Sequence, residues 1–314
     1  MHFQAKTTQT PRGGQLLGHV AALLSVCMWG YSFVSSKVLI ENGLGPVHIF
    51  FYRFLLAYAV MLAICHKRFF ASNWRDEGLF LLCGISSGSL YFIAENTALE
   101  YTLATNVSLL TSLSPLFTAI FAGLVYKTEK LGRGIWIGSC IAIVGVVCVV
   151  LNSSTSLEVR PLGDMLSLAA ALCWTFYSLL LRSLNANYDV WFITRKTFFY
   201  GLITSIPCLF FEHNAVPFAE AIHLPAVYGN LLFLGLGASA IAFLLWSVSI
   251  KQIGPVKANN YMYFQTIVTL VISALVLDEH VTTVGYIGIA LIIGGLYVGD
   301  NIDKLRARRT KRLS

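Results

Sequence analysis

The sequence predicts an all-α membrane protein with ten transmembrane helices, arranged as two inverted five-helix repeats. Three observations carry this prediction. The chain of 314 residues is 56% hydrophobic and only 12% charged, about half the charged share from which soluble domains build a polar skin. Its apolar residues fall into runs of about 20, the length of helix that crosses about 30 Å of hydrocarbon. The two halves of the chain also resemble each other.

The first run, 18–39, follows the polar segment "MHFQAKTTQTPRGGQ", which has no small-residue cleavage site, so residues 1–17 read as a retained tail. Further runs follow at 46–65, 79–99, 105–126, 134–151, 163–182, 190–211, 228–249, 258–277 and 283–300. Backbone groups in lipid must be bonded internally, so these runs are helices. They are also too long and continuous for barrel strands, which alternate over about ten residues. The expected organisation is a tail at 1–17, a first repeat at 18–151, a second at 163–300 and a basic tail at 301–314.

Basic residues concentrate in loops that stay in the cytoplasm. With the N-terminus inside, the inner segments hold Lys6, Arg12, Lys67, Arg68, Arg75, Lys127, Lys130, Arg133, Arg182, Lys251, Lys257 and the tail "DKLRARRTKRLS", while the opposite loops hold only Arg160. Both termini are therefore expected in the cytoplasm, in a plasma or inner membrane. Most of the net charge of +7 is a topology signal, and the basic tail suits the lipid bilayer's anionic surface better than nucleic acid. The seven cysteines form no C-x-x-C or Cys/His cluster and read as reduced packing residues, not as a disulfide frame or zinc site.

In the repeat, "LLGHVAALLSVCMWGYSFVSSK" aligns with "PLGDMLSLAAALCWTFYSLLLR", pairing Trp29 with Trp174, Gly18 with Gly163 and Lys37 with Arg182. "YKTEKLGRGIWIGSCIAIVGVV" aligns with "LDEHVTTVGYIGIALIIGGLYV", pairing Glu129 with Glu279 and Gly138 with Gly288. Five spans is an odd number, so the second copy enters the membrane inverted. That is the usual architecture of alternating-access transporters, which bind substrate near the midplane between the repeats.

The chain also resembles a known family. "WGYSFVSSK" in the first span, Arg53 in the second, "ENTALEYTLATNVSLLTSLSPLFTAI" across the third and fourth, and Glu129 and Glu279 before the closing spans are together similar to the EamA family of the drug/metabolite transporter superfamily. The likeness covers residues 18 to 300. It implies a ten-helix transporter with a central cavity, moving amino acids or other small metabolites, commonly outward. One departure is that Pro115 aligns with Thr266, where the family often has a second proline; a kink in the first half alone is then expected.

A carboxylate inside an apolar run costs roughly 2.5 kcal/mol or more at bilayer depth, which makes Glu95 in "SGSLYFIAENTALEY" the first candidate site residue. Tyr91 lies one turn before it and Asn96 beside it. Glu95 is read as a proton-coupling group or as an anchor for a substrate ammonium, with a solvated carboxylate as the plain alternative. Lys37 and Arg53, in the outer parts of the first two spans, are positioned to face it. Arg53 suits a substrate carboxylate because its planar fork binds both oxygens, whereas Lys37 near a helix end also suits snorkelling. Arg195 and Lys196 in the seventh span read slightly better as positive-inside anchors than as a gate.

Trp29, Trp174 and Trp246 either line the cavity or pack. In "ANNYMYFQT", Tyr263 and Gln265 are two apart and cannot share a face, and Tyr263 is the chosen substrate contact over Gln265, Asn259 and Asn260. Pro115 removes a helix hydrogen bond and marks a mid-membrane bend, read as a candidate hinge. Gly84 with Gly88, and Gly134 with Gly138, have the spacing for close helix contact. Glu129 and Glu279 are expected to favour the N-terminus of the helix that follows each.

The leading function is a secondary transporter without cofactor, read as an exporter of amino acids or related polar metabolites, driven by a gradient, with proton coupling through Glu95 as one option. The alternative is a membrane-embedded enzyme acting on a lipid or isoprenoid substrate. Against it, no H-E-x-x-H, phosphate loop or paired-aspartate motif is present. A homodimer is left open.

Overall fold

The computed structural model describes residues 12–66, 68–126, 133–152, 161–212, 222–279, 282–295 and 297–298. Lys6, Lys67, Lys127, Glu129, Lys130, Arg160 and the tail beyond residue 300 lie outside these residues. The described part is all helix and turn. Among the described residues, six helices are long and apolar enough to cross a membrane: Gly14–Glu41, Pro46–Ile64, Trp74–Tyr101, Ala104–Leu124, Pro161–Leu184 and Pro225–Ile253. Arg133–Asn152, Val190–Leu209, Met262–Val276 and the shorter Thr283–Gly295 are further helices.

Local chemistry sets the helix ends. The third helix begins earlier than its apolar run, at Trp74, because Asn73 accepts a hydrogen bond from the Asp76 N–H at 2.8 Å. Asp76 and Glu77 then occupy the first turn, where the helix dipole favours negative charge. Proline opens four further helices, at Pro46, Pro161, Pro225 and Pro255, where its missing N–H costs nothing.

The fourth span is two helices, Ala104–Thr111 and Ser114–Tyr126, and Pro115 sits in the first turn of the second. The break is sealed by hydroxyls: Thr175 donates to the Ser114 carbonyl at 3.1 Å, and Thr266 to the Ser108 carbonyl at 3.3 Å. The ninth span breaks as well, between Pro255–Asn259 and Met262–Val276. The expectation of a kink in the first half alone is therefore corrected. Gly254, at φ +80°, and Pro255 end the preceding helix and start a short new one, so no proline at position 266 is needed.

Among the described residues, two helices carry π-helical segments, Ile85–Ser89 within 74–101 and Phe233–Ile241 within 225–253. Such segments are rare and frequently mark functional sites. Close crossings use glycine as the spacing suggested. A Cβ on Gly84 would lie 2.4 Å from Tyr200 Cβ, and one on Gly88 2.9 Å from Gly201 Cα, so the 74–101 and 190–209 helices touch backbone to backbone. Exposed apolar side chains such as Leu24, Leu55, Val144, Leu232 and Val271 cover the outside. The core is aromatic: Trp29 meets Trp174, Trp246 and Phe243 edge-on, with ring centroids 4.9, 5.0 and 5.7 Å apart.

A cavity between two closed ends

Helix 74–101 turns Tyr91, Phe92 and Glu95 toward one face, one turn apart as the 3.6-residue period requires. There they meet Trp29, Ser32 and Phe33 of the first helix, Trp174 of the 161–184 helix and Met262 of the ninth span, and together enclose a small cavity. Its free volume is about 10 Å³, room for about one water. Glu95 is 2% exposed and its Oε1 has no hydrogen-bond partner. Arg53, fully buried, stacks its guanidinium 4.3 Å over the Phe92 ring and donates from Nε to Ser239 Oγ at 2.9 Å. Both terminal nitrogens of Arg53 lack partners. The Trp29 indole donates to the Ala238 carbonyl at 2.8 Å, while the Trp174 and Trp246 indole N–H groups are buried and unpaired.

The structure thus gathers Arg53, Tyr91 and Glu95 at one place, and Trp29 and Trp174 line it. Asn96 is next to this face but its amide donates to the Pro46 carbonyl at 3.0 Å, tying the second helix to the third. Lys37 is elsewhere: its ammonium donates to the Leu99 and Thr102 carbonyls at 2.6 and 3.4 Å, closing the C-terminal end of the 90–101 helix. Tyr263 lies apart from the cavity, half-buried beside Leu109, Leu113 and Ile292. Gln265 is the buried member of that pair, with Oε1 unpartnered. The helix turns the two residues apart as expected, but it is Gln265 that faces inward.

Among the described residues, polar contacts fasten helices together at both ends of the molecule. At one end, the 65–72 segment is fastened to the 190–209 helix. Arg195 donates to the Cys65 and Arg68 carbonyls, and Lys196 pairs with Glu77 and donates to the Phe69 carbonyl. Tyr200 donates to Glu77, whose other oxygen accepts from the Ala71 N–H at 2.8 Å. Arg195 and Lys196 are 2% and 3% exposed, whereas anchors keep their charge in water. The anchor reading is therefore replaced by a latch.

At the other end, Glu212 accepts from the Val47 and His48 N–H groups at 2.9 and 3.0 Å and also contacts the His48 ring, capping the 46–64 helix. Gly45 makes room for it, since a Cβ there would fall 2.3 Å from the Glu212 carboxyl carbon. Glu279 accepts from the Ala104 and Thr105 N–H groups at 2.8 and 3.1 Å. The expectation that Glu279 serves its own following helix is corrected: it caps a helix of the first half. An open pocket of about 470 Å³ lies at this vestibule end, lined by residues including Glu100, Cys208, Phe211 and Glu212.

Ser239, Phe92, Glu77 and Glu212 had no sequence signal of their own. Glu77 and Glu212 differ from solvated loop acids only in what folding brings against them. Ser239 is one of many serines in apolar surroundings.

The EamA-like transporter family matches the chain twice, over residues 16–151 and 161–298. An uncharacterized transporter of Archaeoglobus fulgidus is 29% identical over 89% of this chain and 96% of its own length. A probable amino-acid metabolite efflux pump of Escherichia coli is 24% identical over 94% and 97% of the two chains. A solved crystal structure superposes with a TM-score of 0.66 at 19% identity, covering 96% of this chain and 99% of that one, which supports the fold. The chain is an integral membrane protein of transporter and not enzyme type, and it belongs to the EamA-like transporter family.

Proposed function

We propose that this protein exports amino acids or related small polar metabolites across the cell membrane by alternating access, with Glu95 coupling transport to protons. The carrying observation is a pair of incomplete groups, a free carboxylate oxygen on Glu95 in the cavity wall and two free guanidinium nitrogens on Arg53, which stacks on the lining ring of Phe92. Buried polar groups are normally paired. A zwitterion supplies both partners, its carboxylate to Arg53 and its ammonium to Glu95, and a proton replaces the ammonium at Glu95 when the substrate leaves. Aromatic walls shield the site from water and strengthen both contacts.

The architecture in this reading is ten crossings in two inverted repeats, with the latch end and both termini in the cytoplasm. Two features support it. The π-helical segments fall on the third and eighth spans, counterparts under a five-helix repeat. The matched fifth and tenth spans also cross reciprocally: a Cβ on Gly145 would meet the Gly288 carbonyl at 2.7 Å, and one on Gly295 the Gly138 carbonyl at 2.6 Å. In this reading the small cavity, with room for about one water, belongs to an empty intermediate of such a cycle.

The test is counterflow of a radiolabelled amino-acid mixture in proteoliposomes, with and without a pH gradient, comparing the wild type with Glu95→Gln. Wild-type counterflow that responds to the gradient, together with a mutant that has lost only that response, is the expected result. Equal behaviour of the two proteins removes Glu95 from coupling. No flux in either removes amino acids as substrates.

A further inference from the structure

We infer that Ser239 is a positioning residue for substrate recognition: it holds one edge of Arg53 so that the two terminal nitrogens remain free for an anionic group. The inference rests on the reading of Arg53 given above and adds a residue of the second half to a site otherwise built largely from the first.

A guanidinium presents five N–H donors in one plane and grips a carboxylate through either of two kinds of edge, one that includes Nε and one made of the two terminal nitrogens. Ser239 Oγ accepts the hydrogen bond from Arg53 Nε–H at 2.9 Å, which removes the first kind. Phe92, 4.3 Å beneath the guanidinium carbon, fixes the plane. What remains is the terminal edge, both of whose nitrogens are buried and unpaired. Arg53 has a long, flexible stem, and without these two supports its fork would have no defined direction.

The π-helical segment explains why Ser239 stands where it does. The N–H of Ala242 bonds to the Gly237 carbonyl, five residues back, and passes over the Ala238 carbonyl that a regular helix would use. The bypassed carbonyl accepts the Trp29 indole N–H at 2.8 Å. Neighbouring residues of one segment, Ala238 and Ser239, thus hold a cavity aromatic, Trp29, from the first helix and Arg53, the cation stacked on the cavity's Phe92, from the second. Ser239 is itself fully buried, so no water competes for its oxygen.

The experiment compares wild type, Ser239→Ala, Ser239→Thr and Arg53→Lys, each reconstituted. One readout is the concentration for half-maximal amino-acid counterflow, set against inhibition by the corresponding amines lacking the carboxylate. The other, independent of substrate, is the guanidinium Nε resonance of Arg53 by NMR, assigned by its loss in Arg53→Lys. Ser239→Ala is expected to raise the half-maximal amino-acid concentration about tenfold, the effect of one lost hydrogen bond to a charged group. It should leave the amines unchanged and shift the Arg53 resonance, and Ser239→Thr should restore both. An unchanged resonance in Ser239→Ala overturns the contact itself. A shifted resonance with unaltered preference for the carboxylate, in Arg53→Lys as well, overturns the inference through Arg53 and with it the proposed recognition. Equal weakening of amino acids and amines assigns Ser239 a structural role only and also overturns it.

Discussion

Glycine at 84 and glycine at 78 share one helix but meet different surroundings. A methyl group at Gly84 would collide with Tyr200 Cβ at 2.4 Å and the Gly201 nitrogen at 2.7 Å, both part of or next to rigid backbone, whereas nothing lies within 4 Å of one at Gly78. Overpacking a tight contact costs about 1–3 kcal/mol, and replacing an unhindered helical glycine by alanine gains about 0.5–1 kcal/mol. Gly84→Ala should therefore lower the thermal midpoint of the purified protein in detergent and Gly78→Ala should raise it. Two changes of the same sign would mean that the 74–101 and 190–209 helices do not cross at this glycine. The small-residue spacing was visible in the sequence because it is local; which glycine of the helix is indispensable depends on Tyr200 and Gly201, more than a hundred residues away.

The latch joins the 190–209 helix to the first turn of the 74–101 helix through charges that are little exposed, with side chains 4% exposed for Lys196 and 12% for Glu77. Removing one partner leaves the other charge uncompensated, which costs about 3–5 kcal/mol, whereas removing both is often close to neutral. Glu77→Gln and Lys196→Met should each destabilise the protein by that order in denaturant unfolding, and the double variant should recover most of the loss. Additive losses in the double variant would show that the pair does not interact. None of this pairing was legible beforehand. The apolar runs announce the helices because burial in lipid demands continuous apolar length, and Pro115 announces the break in the fourth span because proline removes a helix hydrogen bond and its ring presses on the carbonyl four residues back. A π-helical segment leaves no such mark, since one inserted residue changes the bonding register without changing composition. Lys196 and Glu77, or Glu279 and Thr105, become partners only through the registry of helices distant in sequence. That is why Arg195 and Lys196 read as anchors and Glu279 as a cap for its own helix.

The two closures involve different parts of the chain, yet alternating access requires that they exclude one another when opened: a ligand or mutation that opens one end must stabilise closure of the other, by the reciprocity of linked equilibria. Native cysteines report on both ends. Cys208 lines the vestibule, and Cys65 supplies a carbonyl to the latch through Arg195; both are partly buried free thiols. In proteins retaining one of these cysteines at a time, Glu212→Gln weakens the vestibule closure by removing a charged acceptor from the Val47 and His48 N–H groups. It should speed labelling of Cys208 by a membrane-impermeant maleimide and slow labelling of Cys65. The double variant Glu77→Gln, Lys196→Met loosens the latch and should do the reverse. A closure held by two charged hydrogen bonds, each worth about 1.5–3 kcal/mol, gives roughly tenfold or larger changes in accessibility when one is weakened, well within reach of labelling kinetics. Opposite responses at the two thiols are the signature of one molecule rocking between two closed ends. If both thiols label faster in either variant, the ends open independently, the protein forms a continuous path across the membrane, and alternating access is refuted.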